Sequence, residues 1–387
     1  MKGEMVLLVN QHTVPIFTDI ANAYADSGFK VVLFSGHIER GGCPLSSSVK
    51  YKKSIAYSRR STITRFFSWL VFSIHYAFYS LTCRKPTLIM VVTNPPLAPI
   101  ITACISRLRK IPYHILVYDL YPEAIFQAGL VHNRNILFRL WQRINLWVFK
   151  GANKIFTLSE SMKNAASKYV DQPEKIKVIY NWADTSYIHP VVKSENAFVI
   201  EHGLQNKFVV LYAGNMGLTH DLESLIEAAA LLQEEPDLIF ILIGDGGKRK
   251  SLENIAKAKS LQNVLFLPYQ DEKYFPLAMA SADIGVVTLG SGAEGISVPS
   301  KTYINLAAGL CLLAIAPESS ELSRLITEHH AGLICEPGDA EKVASALRIL
   351  LSDESLINQY KQNALRASSH FTSENAYEYV KEIMSHT

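Results

Sequence analysis

Three glycine-rich runs hold the residues best suited to grip a charged ligand. YAGNMG (212–217) ends an apolar run with small residues, which lets a ligand approach the backbone and the next helix start. GDGGKRK (244–250) repeats the arrangement and adds Lys248, Arg249 and Lys250, which equally suit a solvated helix start. In SGAEGISVPSKTYINLAAG (291–309), Glu294 sits in a glycine-rich turn and Val298-Pro299-Ser300-Lys301 opens a helix. Backbone N–H groups at that helix start, together with Lys301, suit a diphosphate. One such turn is commonly structural; three in successive units favour a nucleotide site. A second set follows strand ends nearer the amino terminus. Asp119 and Glu123 in YDLYPE (118–123) can orient a hydroxyl or accept its proton. The same pair also suits a helix N-cap followed by an acid in the first turn. Asn94, with Pro95 and Pro96, makes a rigid turn at another strand end. His12 is a further candidate, and Asn181-Trp182 reads as hinge packing.

Other chemistries are missing. NQHTVPIFT, after the first strand, has no glycine, so a dinucleotide pyrophosphate cannot sit there in the usual way. There is no GxxxxGK[ST] run and no pair of aspartates two residues apart for chelating a cation. The five cysteines are scattered without a CxxC pair, which argues against zinc or a disulfide framework and suits a reducing compartment. MKGEMVLLVNQ has too short an apolar run for a signal peptide and reads as a cytoplasmic first strand.

Short apolar runs alternating with helical patterns must position these residues. In the first half, 5–10, 30–36, 86–93, 113–119 and 154–160 read as strands, and 16–27 and 97–110 as helices. In the second half, 207–214, 238–246, 263–269, 284–290 and 310–316 read as strands, with 221–235 helical. That alternation predicts parallel sheets covered on both faces. The expected organisation is an amino-terminal domain 1–184, a linker 185–198 and a carboxyl-terminal domain 199–371, with helix 372–387 packed back on the first domain. Two doubly wound domains facing each other would place ligands at the carboxyl ends of their strands.

At 387 residues, 49 % apolar and 19 % charged, the composition is globular. The net charge of +3 conceals an asymmetry. Residues 1–190 carry 23 Lys and Arg against 10 Asp and Glu; residues 191–387 carry 15 against 25. No nucleic-acid motif accompanies the basic half. Its basic residues lie instead among aromatic ones. FFSWLVFSIHYAFYSLTC (66–83) is uncharged between Arg65 and Arg84 and predicts a helix lying on a bilayer over 66–81, with a buried core helix or a short membrane span as the alternatives. The stretch 134–154 interleaves Arg134, Arg139, Arg143 and Lys150 with Phe138, Trp141, Trp147 and Phe149, as interfacial anchors do.

Taken in order, TNPP (93–96), YDLYPE, VIYNWAD (178–184), YAGNMG, IGDGG (243–247), LPY (267–269) and GISVPSK…LAAG (295–309) span most of the chain. The set resembles a retaining GT-B glycosyltransferase of family 4, of the kind that builds bacterial O-antigen, capsule or exopolysaccharide on a lipid carrier. The resemblance implies two Rossmann-like domains across a cleft, with donor in the second and acceptor in the first, and catalysis without metal or cofactor. It implies donor contacts from Gly214, Asn215, Gly244, Asp245, Lys248, Arg249, Gly295, Ile296, Ser297, Ser300 and Lys301. Catalytic roles fall on Asp119, Glu123 and Glu294, and acceptor-side roles on His12 and Asn94. The partners implied are a UDP-sugar rather than a GDP-sugar, a polyprenyl-diphosphate-linked saccharide and the anionic cytoplasmic face of the inner membrane. Two departures stand out. The family's second donor-loop glutamate would fall at Thr302 or Ile304, and its phosphate-binding arginine and lysine are replaced by Asn215, then His220 and Asp221. Lys301, or Lys248 and Arg249, must then supply the positive charge. A sugar-nucleotide epimerase of the same fold and a non-catalytic nucleotide- or lipid-binding scaffold remain as alternatives.

Overall fold

The computed structural model describes residues 3–39, 41–58, 61–123, 136–217, 219–290 and 299–384. The chain divides into two compact units: one of residues up to Asn181 together with those from Ser373 onward, the other running from Trp182 to Thr372.

The first unit is built on seven strands: β1 (Met5–Val9), β2 (Lys30–Ser35), β3 (Lys50–Lys53), β4 (Leu88–Val92), β5 (Tyr113–Leu116), β6 (Lys154–Thr157) and β7 (Ile176–Val178). They form one parallel sheet in the order β3-β2-β1-β4-β5-β6-β7. Strands β1 and β4 are buried almost throughout because helices cover both faces. The helices are α1 (Pro15–Asp26), α2 (Thr62–Thr82), α3 (Ala98–Arg109), α4 (Ile136–Gly151) and α5 (Glu160–Ser167). Ser61 and Thr64 make a capping box that starts α2, and Ser159 caps α5 with Glu160 in its first turn. A carboxyl-terminal helix, Ala376–Met384, packs on α1, where the Tyr24 hydroxyl donates to the Tyr379 carbonyl at 3.0 Å.

The second unit carries β8 (Phe208–Ala213), β9 (Leu238–Ile243), β10 (Val264–Leu267), β11 (Ile284–Thr288), β12 (Cys311–Ile315) and β13 (Gly332–Cys335). Its parallel sheet runs β10-β9-β8-β11-β12-β13. Among its helices are α6 (Glu223–Leu231), α7 (Arg249–Ala258), α8 (Lys301–Ala307), α9 (Glu321–His329), α10 (Ala340–Ser352) and α11 (Glu354–Ser368). Residues 185–198 are folded onto this unit. Ile188 is buried, and Lys193 pairs with Asp283 at 2.5 Å while Lys361 approaches the same carboxylate at 3.4 Å.

Each sheet reverses its strand order once, between β1 and β4 in the first unit and between β8 and β11 in the second. In open parallel sheets the crevice beyond the carboxyl ends at such a point is where ligands bind. The expected strands are all present, with ends one to three residues shorter. Strands β3, β7 and β13 were not expected. The first is KYKK, an exposed edge strand without any apolar pattern.

Candidate active site

The glycines of the second unit make room for the protein itself. Gly214 follows β8 with φ of +133°, and a Cβ there would overlap the side chain of Lys301. A Cβ on Gly244 would strike the Gly214 carbonyl, and one on Gly246 the backbone of Met216. In sequence, these small residues suit the close approach of a ligand. The structure fills the space by packing successive βα loops against each other and by laying Lys301 across Gly214.

Lys301, the first residue of α8, thus reaches the β8–β11 switch point. Its ammonium donates to the Tyr212 hydroxyl, sits 4.0 Å from the centre of the Tyr212 ring and lies 3.5 Å from the Asn215 carbonyl. No carboxylate among the described residues pairs with it. Burial pulls its pKa down to about 7. A half-buried cation set against a ring face and neutral oxygens has chemistry that suits an anion.

The other expected phosphate-binding cations are already engaged. Lys248 binds Glu223 Oε2 at 2.8 Å and the His220 carbonyl at 2.7 Å. Arg249 binds Glu253 at 2.8 Å and the carbonyls of Gly244 and Leu267. Both side chains brace the loops, whereas Lys301 has no such carboxylate partner among the described residues. Asp221 is structural too: it accepts from Ser224 and from Gly338 N–H. Asn215 and Asp245 are exposed, and Asp245 accepts from Gly246 N–H. Ser300 is exposed and makes no side-chain cap. Glu294, Gly295, Ile296 and Ser297 lie outside the described residues.

His220 joins this cluster, although the sequence reading gave it no role. Its Nδ1 lies 3.0 Å from the Thr288 carbonyl at the end of β11, and its ring packs edge-on against Tyr212 with centroids 6.3 Å apart. Burial, with the charges of Lys301 and Lys248, drops its pKa to about 4. The only advance sign was its position six residues after Gly214.

In the first unit, Thr93 at the end of β4 accepts the backbone N–H groups of Tyr118 and Asp119 at 3.1 and 3.2 Å. Asp119 lines a small pocket with Thr93, Pro96, Tyr121, Trp141 and Asn145, and burial raises its carboxyl above the ordinary range. The N-cap alternative is not what the described residues show, since Leu120 follows in an irregular segment. Glu123 differs from the expectation. Its Oε1 accepts from Lys168 at 2.7 Å, from Gln142 at 3.1 Å and from Tyr169, and its Oε2 is buried. That carboxylate ties α4 to the end of α5 and is withdrawn from ligands. His12 pairs with Glu39 at 3.2 Å and stacks on His37, while Asn94 is half-buried in the turn beyond β4.

Helix α2 is apolar on two sides. Phe72 and Tyr76 pack under the sheet beside Phe34, while Phe66, Phe67, Ile74 and Phe78 are 57–70 % exposed. Helix α3 packs against both α2 and α4 and adds the exposed Leu108. On α4 the expected anchors are partly reversed. Phe138 and Phe149 are buried, Trp141 stacks on Tyr121 and Trp147 carries Arg107 over its ring. The exposed residues are Ile136 and Leu140 together with the expected Arg139, Arg143 and Lys150. Arg134 lies outside the described residues. No helix among the described residues is long and apolar enough to cross a membrane.

Two parallel doubly wound units in one chain are the architecture of a GT-B fold. Solved structures share it: HepE from Anabaena, crystallised in complex with UDP, at 18 % identity and a TM-score of 0.75, covers 99 % of this chain and 100 % of its own. WaaG, a glycosyltransferase involved in lipopolysaccharide biosynthesis, covers 98 % and 99 % at 17 % identity and a TM-score of 0.72. Residues 16–187 match the family model "Glycosyltransferase Family 4" and residues 194–367 match "Glycosyl transferases group 1". The chain belongs to this glycosyltransferase family. Among curated relatives, WbjE of Pseudomonas aeruginosa, named as a glycosyltransferase, is 27 % identical over 67 % of this chain and 65 % of its own length. WcaI of Escherichia coli K12, named as a colanic acid biosynthesis glycosyl transferase, is 30 % identical over 55 % and 54 %. The matched region thus spans between half and two thirds of these relatives.

Proposed function

We propose that the chain is a retaining glycosyltransferase. It moves a sugar from a nucleoside diphosphate, UDP rather than GDP, to a saccharide carried on polyprenyl diphosphate, in the assembly of a bacterial surface polysaccharide such as O-antigen or capsule. The observation that carries this reading is Lys301, a half-buried ammonium without a carboxylate partner among the described residues, at the switch point of the second sheet. The barrier lies in breaking the anomeric C–O bond while negative charge grows on the leaving diphosphate. Lys301 stabilises that charge. Glu294, with Gly295, Ile296 and Ser297, holds donor hydroxyls and phosphates. In the first unit, Asp119 orients the acceptor hydroxyl, whose proton passes to the departing phosphate or to that carboxylate. His12 and Asn94 flank the acceptor at the other switch point.

The acceptor's lipid explains the surface of the first unit. The exposed apolar residues of α2, α3 and α4, with Arg139, Arg143 and the lysines of β3, suit the anionic cytoplasmic face of the inner membrane. The names of WcaI and WaaG connect those proteins to colanic acid and lipopolysaccharide biosynthesis, which supports a polysaccharide product.

Purified full-length protein titrated with UDP and with a panel of UDP- and GDP-sugars tests the reading. Binding of UDP by the wild type, lost in Lys301→Met, with slow donor hydrolysis, is the expected result. Free epimerised sugar would make it an epimerase. Binding without hydrolysis or transfer to any lipid-linked acceptor would make it a scaffold.

A further inference from the structure

His220 is held through one ring nitrogen. Nδ1 lies 3.0 Å from the Thr288 carbonyl and 3.2 Å from the Thr288 hydroxyl. A carbonyl oxygen has no hydrogen to give, so Nδ1 carries the proton and Nε2 is left with a lone pair. The ring stays neutral, with its pKa near 4, because it is half-buried and faces the ammonium groups of Lys301 and Lys248. Among the described residues nothing hydrogen-bonds Nε2. The edge of the ring lies against Gly217, in the loop that leaves β8.

We propose that His220 is a positioning residue whose Nε2 accepts a hydrogen bond from a hydroxyl of the nucleotide-sugar donor. The inference rests on the donor reading above and adds a second ligand chemistry to the same site. A phosphate oxygen offers only lone pairs, so it is drawn to Lys301 and repelled by a neutral Nε2. The ribose and hexose hydroxyls sit on either side of the diphosphate and can give a hydrogen. Tyr212 connects the two groups, with Lys301 over its ring and His220 at its edge. The diphosphate is thereby fixed by charge and the adjoining sugar by direction.

The test uses the full chain, with UDP and UDP-glucose as probes in calorimetry. His220→Asn keeps a donor for the Thr288 carbonyl and lacks the Nε2 acceptor; His220→Gln places an amide oxygen near the Nε2 position. We expect His220→Asn to melt with the wild type and to bind UDP-glucose about tenfold more weakly, and His220→Gln to recover most of that loss. A loss shared by UDP assigns the ribose hydroxyl; a loss confined to UDP-glucose assigns the hexose. Nitrogen-15 spectra of the wild-type histidine should show the neutral Nδ1–H tautomer with and without UDP-glucose, a reading that stands even if the Asn variant misfolds. Equal affinity of wild type and His220→Asn for both probes, or an imidazolium in the complex, would overturn the proposal. If the wild type binds neither probe, the donor reading itself falls and takes this one with it.

Discussion

The Lys301 ammonium stands 4.0 Å from the centre of the Tyr212 ring and donates to that residue's own hydroxyl. Tyr212 therefore serves both as the wall and as one of the hydrogen-bond partners of the half-buried cation. Burial pushes the Lys301 pKa down to about 7. An anionic donor binds the charged form, so its affinity is constant below pH 7. Above pH 7 the free protein loses the proton that the complex keeps, and affinity should fall about tenfold per pH unit. Titrations of UDP between pH 6 and 9 check this. The same charge opposes folding below pH 7, and the penalty fades as pH climbs toward the ordinary lysine range. Lys301→Met should consequently raise Tm at pH 6.5 by about 2–4 °C or more, while abolishing UDP binding.

Gly214→Ala adds one methyl where the Lys301 side chain lies, on a backbone with φ of +133°. The strain of that φ costs about 1–3 kcal/mol, and Lys301 is displaced. UDP affinity should drop at least tenfold, a larger loss than that of Gly203→Ala, a positive-φ glycine with open space around it. Thermal melts separate the backbone strain common to both from the loss of affinity specific to Gly214.

Asp119→Asn should leave UDP affinity unchanged, since the two groups belong to different units, and lower turnover by about 10²–10⁴-fold if the carboxylate takes the proton. The wild-type profile of kcat/KM should be bell-shaped. Its acid limb rises as Asp119 ionises, at a pH above the ordinary carboxylate range because burial raises that pKa. Its basic limb falls as Lys301 loses its proton near pH 7. In Asp119→Asn the acid limb should disappear and the basic limb persist.

Vesicle co-sedimentation tests the surface of the first unit. Arg139→Glu with Arg143→Glu should release protein from anionic vesicles and leave the remaining binding less sensitive to salt, because screening, over about 8 Å at physiological salt, acts on the attraction that these variants remove. Phe67→Ser with Phe78→Ser removes exposed rings whose loss leaves the core intact, and should reduce the salt-resistant fraction. Neither pair should alter UDP affinity. Equal binding to neutral and anionic vesicles would defeat the electrostatic part.

The sheets were legible because their strands are buried on both faces and read as continuous apolar runs, as in Leu88–Val92 and Cys311–Ile315. KYKK escaped because an edge strand needs only one partner and no core face. Within the site, composition located the right loops but ranked their lysines poorly. Lys248 and Arg249 look like phosphate ligands in sequence, and only their contacts with Glu223 and Glu253 show otherwise. Lys301 was singled out as one of two options, and its contact with Tyr212, 89 residues away, could not be read from spacing. On α4 the basic–aromatic mixture suggested a surface, yet Phe138 and Phe149 turn inward; pattern told composition and not azimuth.

The carboxyl-terminal helix belongs to the body that the amino terminus begins. Tyr24 meets Tyr379, and Lys154 and Lys177 pair with Glu382 at 2.9 and 3.0 Å. A chain emerging residue by residue from the ribosome can finish the unit of 182–372 first. The unit started earliest stays open along α1, with Phe17, Ile20 and Tyr24 awaiting the helix Ala376–Met384. Synthesis order and completion order are therefore reversed. Stalled or prematurely stopped chains would carry one closed domain and one unsealed one, the form that quality-control proteases remove.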